Sequence, residues 1–398
     1  MNKKNPKLAI ILVSALVLLI VFFSSKFFSS KSTTERQFKL QKPSELLKHE
    51  KIDSHFAKAI DLYDFQFPED HASHEEFKTE WWYYTGNLES SSGEEFGYQL
   101  TIFRNGLKPI FSAKDKEKDK LNNWQSKQLY MAHFAITDIK NKKFYSFEKF
   151  GRESLGQAGA RLKPYKIWVK DWSIQSSPKA APGDIFPLTL RAQTPEIKLK
   201  LKLNPVKPIT LQGLEGLSQK SSGTGNASYY YSISKLSSSG QIQIANDVYK
   251  VKGYSWLDRE FSTSSLGETL IGWDWFALQL NNNVEIMYYR LRDQNNNTDM
   301  AHSAGVIIDA AGDKHPFTAQ DIILNSTEKY KSKYSKAEYP VSWSMEIPKI
   351  KLKMKIKPAL KEQEHQNNYP YYEGAIRVEG DFAETKISGK GYMELVGY

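Results

Sequence analysis

The sequence predicts an all-β protein built from two related antiparallel β-barrels, and three observations carry that expectation. Strand-period alternation dominates from residue 77 onward, one aromatic hairpin pattern occurs twice, and helical periodicity is nearly absent. In Ile197-Lys198-Leu199-Lys200-Leu201-Lys202-Leu203 every odd position is apolar and every even one is Lys. Ile350-Lys351-Leu352-Lys353-Met354-Lys355-Ile356-Lys357 repeats the device, and each run gives out at a proline, Pro205 or Pro358. Such rows fit half-buried strands with one solvated face, and lysines there also discourage edge-to-edge pairing with other chains. Many short strands of this kind suit barrels of about eight strands, with a sandwich as the alternative that composition leaves open.

Taken in order, the chain begins with Lys3, Lys4 and Lys7, followed by the apolar run Leu8 to Phe23, broken only by Ser14. A basic flank before such a run reads as an export signal, either an uncleaved anchor or a cleaved peptide, and it predicts an extracytoplasmic body. The Ser- and Lys-rich stretch that follows reads as a tether, with Ser44–Ile60 its helical candidate, N-capped by Ser44. Next comes a hairpin, Trp81-Trp82-Tyr83-Tyr84-Thr85-Gly86-Asn87-Leu88, a Ser/Gly turn, and Tyr98 to Arg104. A second hairpin, Trp273 to Leu280, Asn281-Asn282-Asn283 and Glu285 to Arg290, keeps Trp seven residues before Leu and ends its return strand in Arg. A His-led segment follows each hairpin, at His133 and at His302, and a lysine-alternating strand comes later in each half, so two related domains are expected.

Composition removes several function classes. The 398 residues suit about two domains. With no Cys, disulfide frameworks, thiolate-bound metals and cysteine nucleophiles are excluded. The net charge of +10 falls to +5 once the five lysines of residues 1–34 are set aside, which is ordinary for a surface this large and predicts no nucleic-acid partner. No G-x-S-x-G elbow, Walker A or G-x-G-x-x-G occurs, and no cofactor is expected. His71 and His74 lie beside Glu75 and Glu76, but their spacing makes a poor metal set, so no metal site is expected.

The chemistry concentrates in Gly253-Tyr254-Ser255-Trp256-Leu257-Asp258-Arg259-Glu260-Phe261-Ser262. On a regular strand Tyr254, Trp256, Asp258 and Glu260 share one face and Arg259 takes the other. Two neighbouring carboxylates beside aromatics repel, and burial adds desolvation, so one can stay protonated near neutral pH and act as an acid. The alternative is that both simply pair with basic side chains at a domain seam. Tyr229, Tyr230 and Tyr231 alternate in the same way, with Tyr229 and Tyr231 facing one direction.

These motifs resemble the AttH and carotenoid 1,2-hydratase family. The resemblance rests on His74 to Gly86, Tyr130-Met131-Ala132-His133-Phe134, Gly225 to Ser232, Trp256 to Ser262 and Gly272-Trp273-Asp274-Trp275-Phe276, and runs from about residue 65 to Tyr398. It implies a tandem lipocalin-like fold: 1–34 a signal anchor or signal peptide, 35–64 a tether, 65–262 and 263–398 the two lipocalin-like domains. The hydratase branch uses an Asp proton donor that corresponds here to Asp258; the AttH-like branch is exported, described as a secreted hydrolase and sometimes accompanied by ABC-transporter components. No activated nucleophile supports the hydrolase description. Hydratases carry His-x-Trp where this chain has Tyr229 and Tyr231, and His-Asn where it has Arg259-Glu260, which speaks against a carotenoid substrate.

The expected function is an exported protein binding a lipid or isoprenoid in an aromatic-lined pocket near the barrel junction, its wall formed by Trp82, Tyr84, Arg104, His133, Tyr229, Trp256, Trp273 and Trp275. One alternative is a hydratase or lyase acting on an isoprenoid double bond, with Asp258 as general acid and Glu260 or Tyr231 assisting. Another is an extracytoplasmic accessory protein of an ABC transporter. Membrane contact is expected through the N-terminal segment.

Overall fold

The computed structural model describes residues 55–111, 126–264, 266–267 and 269–398. The apolar run Leu8 to Phe23 lies outside the described residues, as does most of the helical candidate Ser44–Ile60. The described end of that candidate carries no helix, and its Ala57 N–H donates to the Glu76 carbonyl at 2.9 Å.

The first sheet holds β1 (Thr79–Ser90), β2 (Glu95–Gly106), β3 (Gln128–Asp138), β4 (Lys143–Arg152), β5 (Ala158–Arg161), β6 (Lys166–Val169), β7 (Trp172–Ser176), β8 (Leu188–Gln193), β9 (Ile197–Pro205), β10 (Ile209–Leu211), β11 (Leu217–Gln219), β12 (Ala227–Ile244) and β13 (Asp247–Ser264). The second holds β14 (Leu270–Leu280), β15 (Glu285–Asp293), β16 (Ala304–Ile308), β17 (Lys314–Thr318), β18 (Ile323–Lys331), β19 (Glu338–Ile347), β20 (Leu352–Pro358), β21 (Glu364–His365), β22 (Tyr371–Phe382) and β23 (Thr385–Val396). Their strand orders match place for place: β4-β3-β2-β1-β13-β12-β9-β8-β7 against β17-β16-β15-β14-β23-β22-β20-β19-β18. The repeat read from the two hairpins is therefore a repeat of topology. Each sheet curls into a nearly closed antiparallel barrel, the lipocalin-like arrangement.

Alternation decides which residues fill each barrel. On β9, Ile197, Leu199, Leu201 and Leu203 are buried while the lysines between them are exposed, and β20 does the same. One expectation fails here: β9 lies between β12 and β8, and β20 between β19 and β22, so the lysine rows guard no edge and serve only as solvated outer faces. Trp82, Tyr98, Leu100, Phe134 and Trp172 fill the first barrel, and Phe276, Trp343, Met345 and Met393 the second. Each such side chain contributes about 1.5–3 kcal/mol of burial free energy, which is what closes a sheet on itself.

Where the barrels meet, the outward residues of the central strands are also buried. Tyr83, Tyr230 and Trp256 of the first sheet pack with Trp275, Met287, Tyr289, Ala375 and Tyr392 of the second. A glycine permits the approach, since a Cβ on Gly97 of β2 would sit 2.5 Å from that of Ala375 on β22.

One end of the first barrel is closed by residues 56–77 and held by a buried ion cluster. Glu80 of β1 pairs with Arg104 of β2 and Arg259 of β13, all three fully buried. Arg104 also donates to Gln128 Oε1 at 2.6 Å and to the carbonyls of His74 and Phe77 at 2.8 and 2.7 Å. Arg259 donates to the Ala72 carbonyl and lies 4.0 Å over the Trp82 ring. Burial alone would raise the Glu80 carboxyl, but the two guanidinium groups hold it well below the usual range. Replacing Glu80 by Gln leaves two buried guanidinium groups without their counter-charge, so Glu80→Gln is expected to destabilise the fold by about 3–5 kcal/mol, read from the midpoint of urea unfolding. A change under about 1 kcal/mol would mean that solvent reaches the cluster.

Candidate active site

Strand β13 builds one wall of the junction. Its pleat sends Trp256, Asp258 and Glu260 outward into the junction and Leu257, Arg259 and Phe261 back toward the first barrel, as the sequence pattern requires. Register brings Tyr83 of β1 and Ser232 of β12 opposite Asp258, and Trp81 and Tyr230 opposite Glu260.

Three donors converge on Asp258. Tyr230 Oη donates to Oδ2, while Ser232 Oγ at 2.5 Å and Trp256 Nε1 at 2.6 Å donate to Oδ1. Burial nonetheless pushes the Asp258 carboxyl up to about 6, against the pull of these donors and with a further push from Glu260. Glu260 has a charged partner instead: Lys220 Nζ lies 3.3 Å away, and Ser228 Oγ donates to the same oxygen. The Lys220 ammonium sits 4.9 Å from the Tyr230 ring centroid and 4.1 Å from that of Tyr289. Of the two carboxyls at the seam, only Glu260 makes the ordinary ion pair.

The second barrel supplies the facing wall. Trp273 Nε1 of β14 donates to Glu394 Oε2 of β23 at 3.1 Å, and burial, reinforced by the charges of Asp258 and Glu260, pushes Glu394 up to about 7. Tyr83 Oη donates to Glu373 Oε1 at 2.6 Å. Burial first, then the charge of Glu394, raises Glu373 well above the carboxylate range, and its Oε2 has no partner among the described residues. Trp275 packs edge-on to Tyr83 at 5.1 Å and to Trp256 at 6.3 Å. The result is an aromatic-walled junction holding buried carboxyls from both barrels.

The two walls are the same wall twice. Trp81 and Trp273 occupy the same place in their hairpins, so Tyr83 corresponds to Trp275, and their cross-strand partners Asp258 and Glu394 correspond to each other. One strand further, the partners of those acids are Ser232 and Glu373.

Asp258, Glu260, Trp256, Trp273 and Trp275, all singled out from sequence, meet at this junction. Tyr231 does not. It faces Arg259, away from the acids, and its Oη lies 2.6 Å from His71 Nδ1, so it cannot assist Asp258; the adjacent Tyr230 holds that position. Tyr229 faces the same way as Tyr231 and donates to the Asp61 carbonyl. Trp82 and Tyr84 belong to the core of the first barrel, and Arg104 spends its donors on Glu80, Gln128 and two carbonyls, so none of the three faces the junction. His133 lies in the middle of β3 rather than at its start and contacts the second barrel through Tyr371. His71 and His74 diverge, the first to Tyr231 and the second to Asp70 and Glu80, and among the described residues no cluster of three or more metal-ligating side chains forms. Missed altogether were Tyr83, Lys220, Ser232, Glu373 and Glu394. A signal existed for Glu373: in Tyr371-Tyr372-Glu373-Gly374-Ala375-Ile376 the odd positions are the outward ones.

With this geometry in place, comparison with known proteins is informative. The model of the AttH-like family matches residues 58–398. The solved structure of an AttH from Nitrosomonas europaea is similar at 28% identity and a TM-score of 0.73, over 86% of this chain and 100% of that one. Kievitone hydratase from Nectria haematococca shares the fold at 13% identity and a TM-score of 0.63, over 86% of this chain and 96% of that one. Dehydratase asqC of Emericella nidulans is 24% identical over 155 residues, 36% of this chain; the match spans 42% of the length of that curated relative.

The register makes a sharp prediction for the tyrosines. Tyr230→Phe removes a donor from the Asp258 carboxylate, a bond of about 1.5–3 kcal/mol, and is expected to raise the Asp258 pKa by roughly one to two units. Tyr231→Phe is expected to leave it unchanged. Carboxyl-carbon resonances of aspartate-labelled protein, followed through pH, read both; a shift in the second variant but not the first would refute the assignment.

Proposed function

The chain belongs to the AttH-like family, and from that premise we propose that it is a hydro-lyase, adding water to, or removing it from, a carbon–carbon double bond of an apolar, isoprenoid-like substrate held between the barrels. The observation that carries this reading is the pair Asp258 and Glu394, carboxyls on opposite barrels, the first buried and the second half-buried, held near 6 and 7 within one set of tryptophan walls. The relatives named for hydration and dehydration support the reaction class.

The two carboxyls divide the work. Asp258 is surrounded by donors, one of which, Trp256 Nε1–H, can only donate, so this carboxyl is arranged as an acceptor. Glu394 receives one donor on Oε2, leaving Oε1 to carry a proton. In hydration Glu394 gives that proton to one alkene carbon, and the adjoining carbon becomes cationic against the faces of Trp256 and Trp275. Water attacks that carbon and loses its proton to Asp258, leaving the alcohol, ionised Glu394 and protonated Asp258. Dehydration runs the same steps backwards. This assignment exchanges the roles expected from sequence, in which Asp258 was the acid. The reading includes an extracytoplasmic place of work, with the N-terminal segment as tether.

The full chain in detergent, given prenylated alcohols and phenols in ¹⁸O-labelled water, is expected to introduce the label at the former alkene carbon. Asp258 must be ionised, so activity falls as pH drops through about 6; Glu394 must be protonated, so activity falls as pH rises through about 7. Asp258→Asn and Glu394→Gln are each expected to cost about 100-fold or more. Tight retention of the compounds without label incorporation by the wild type would instead identify a carrier.

A further inference from the structure

At the far end of the junction a chain of polar side chains runs from a surface groove toward the acids. Glu148 lies on edge strand β4, and its Oε2 is 3.2 Å from His133 Nε2 on β3. The other ring nitrogen, His133 Nδ1, is 2.9 Å from Tyr371 Oη on β22 of the second barrel. Two residues along the same outward face of β22 is Glu373, bound by Tyr83 on one oxygen and, among the described residues, unpartnered on the other. Glu373 in turn sits directly across the ladder from Glu394. At the outer end, Glu148 lines an open groove of about 630 Å³ together with Lys149, Asp171, Trp172 and Lys198.

The arrangement has the requirements of a proton wire. His133 is buried and presents one nitrogen to each neighbour, so it can take a proton on one side while releasing the other. Tyr371 can accept and donate through a single oxygen. His365 stacks on the Tyr371 ring at 4.9 Å and lies 5.3 Å from the His133 ring, holding both in place. A wholly structural seam would not need an imidazole between a carboxylate and a phenol, nor leave a buried oxygen of Glu373, two positions along the same face, without a donor among the described residues.

We propose that Glu148, His133 and Tyr371 form a proton relay from the surface groove to the buried carboxyl of Glu373 and, across the ladder, to Glu394, closing the step from Tyr371 to Glu373 through one water molecule. Loading runs inward: Glu148 passes a proton to His133 Nε2, Nδ1 releases one to Tyr371 Oη, and the tyrosine's own proton moves on to Glu373; unloading is the reverse. Its use rests on the hydro-lyase reading, because each hydration leaves Glu394 ionised and Asp258 protonated, and the pair must be reset before the next turnover.

The test needs no substrate. The full chain is moved rapidly from H₂O to D₂O, and the carbonyl-stretch bands of the buried protonated acids are followed by time-resolved infrared spectroscopy. His133→Gln and Tyr371→Phe are expected to slow deuterium uptake by about 10-fold or more. Glu148→Gln, an isosteric change at the rim of the groove, is expected to slow it as well and keeps the test available if the variants at His133 and Tyr371 do not fold. Uptake at the wild-type rate in Glu148→Gln and in whichever buried variants fold would overturn the relay, even if those variants had lost activity. Slowed uptake in a protein that hydrates nothing would support the relay while removing the reading it serves.

Discussion

Glu80, fixed between Arg104 and Arg259, is the interaction on which the geometry of the junction depends. A carboxylate held by two buried guanidinium groups tolerates no slip of β1 against β13, because any slip strands charge in the barrel interior. A one-residue shift would turn Arg259 outward and Asp258 inward. The ion cluster is distant from the proposed chemistry in function but sets its register, and the same guanidinium groups bind the carbonyls of the segment that closes the barrel end.

The junction is unusual as an interface between two barrels. Packing outer face on outer face could be achieved with apolar side chains alone, at lower cost than burying Asp258, Glu260 and Glu373 and half-burying Glu394. What makes these carboxyls tolerable is neutrality or partnership. Glu260 has Lys220, Asp258 has three donors, and Glu373 and Glu394 are pushed toward their protonated forms. The aromatic walls lower the local polarity and thereby strengthen every one of these effects. Stability is given up at the seam, and acids that titrate near neutral pH are what remains there.

Much of this was legible in the sequence because a strand announces its faces. The lysine rows, the two hairpins and the split of Asp258 from Arg259 all follow from a period of two, which needs no knowledge of neighbours. Pairing is different. Choosing Tyr230 over Tyr231 depends on which residue of β12 lies opposite Asp258, and a bulge between Ile233 and Leu236 alters that count locally. Glu373 and Glu394 sit more than 110 positions from Asp258, in strands whose only local mark is alternation. Arg104 was misread because a lone charge at a strand end does not reveal whether it faces a ligand or a buried carboxylate.

The correspondence of Asp258 with Glu394 separates one chain with two barrels from a pair of identical barrels. In a symmetric dimer of either half the facing acids would be chemically identical, and neither would be marked in advance as donor or acceptor. Duplication within one polypeptide removes that degeneracy. One copy surrounds its acid with Tyr230, Ser232 and Trp256, and the other gives its acid a single donor among the described residues, Trp273. Broken symmetry, more than any single residue, is what gives the junction a direction, and with it a preferred orientation for whatever the two halves hold.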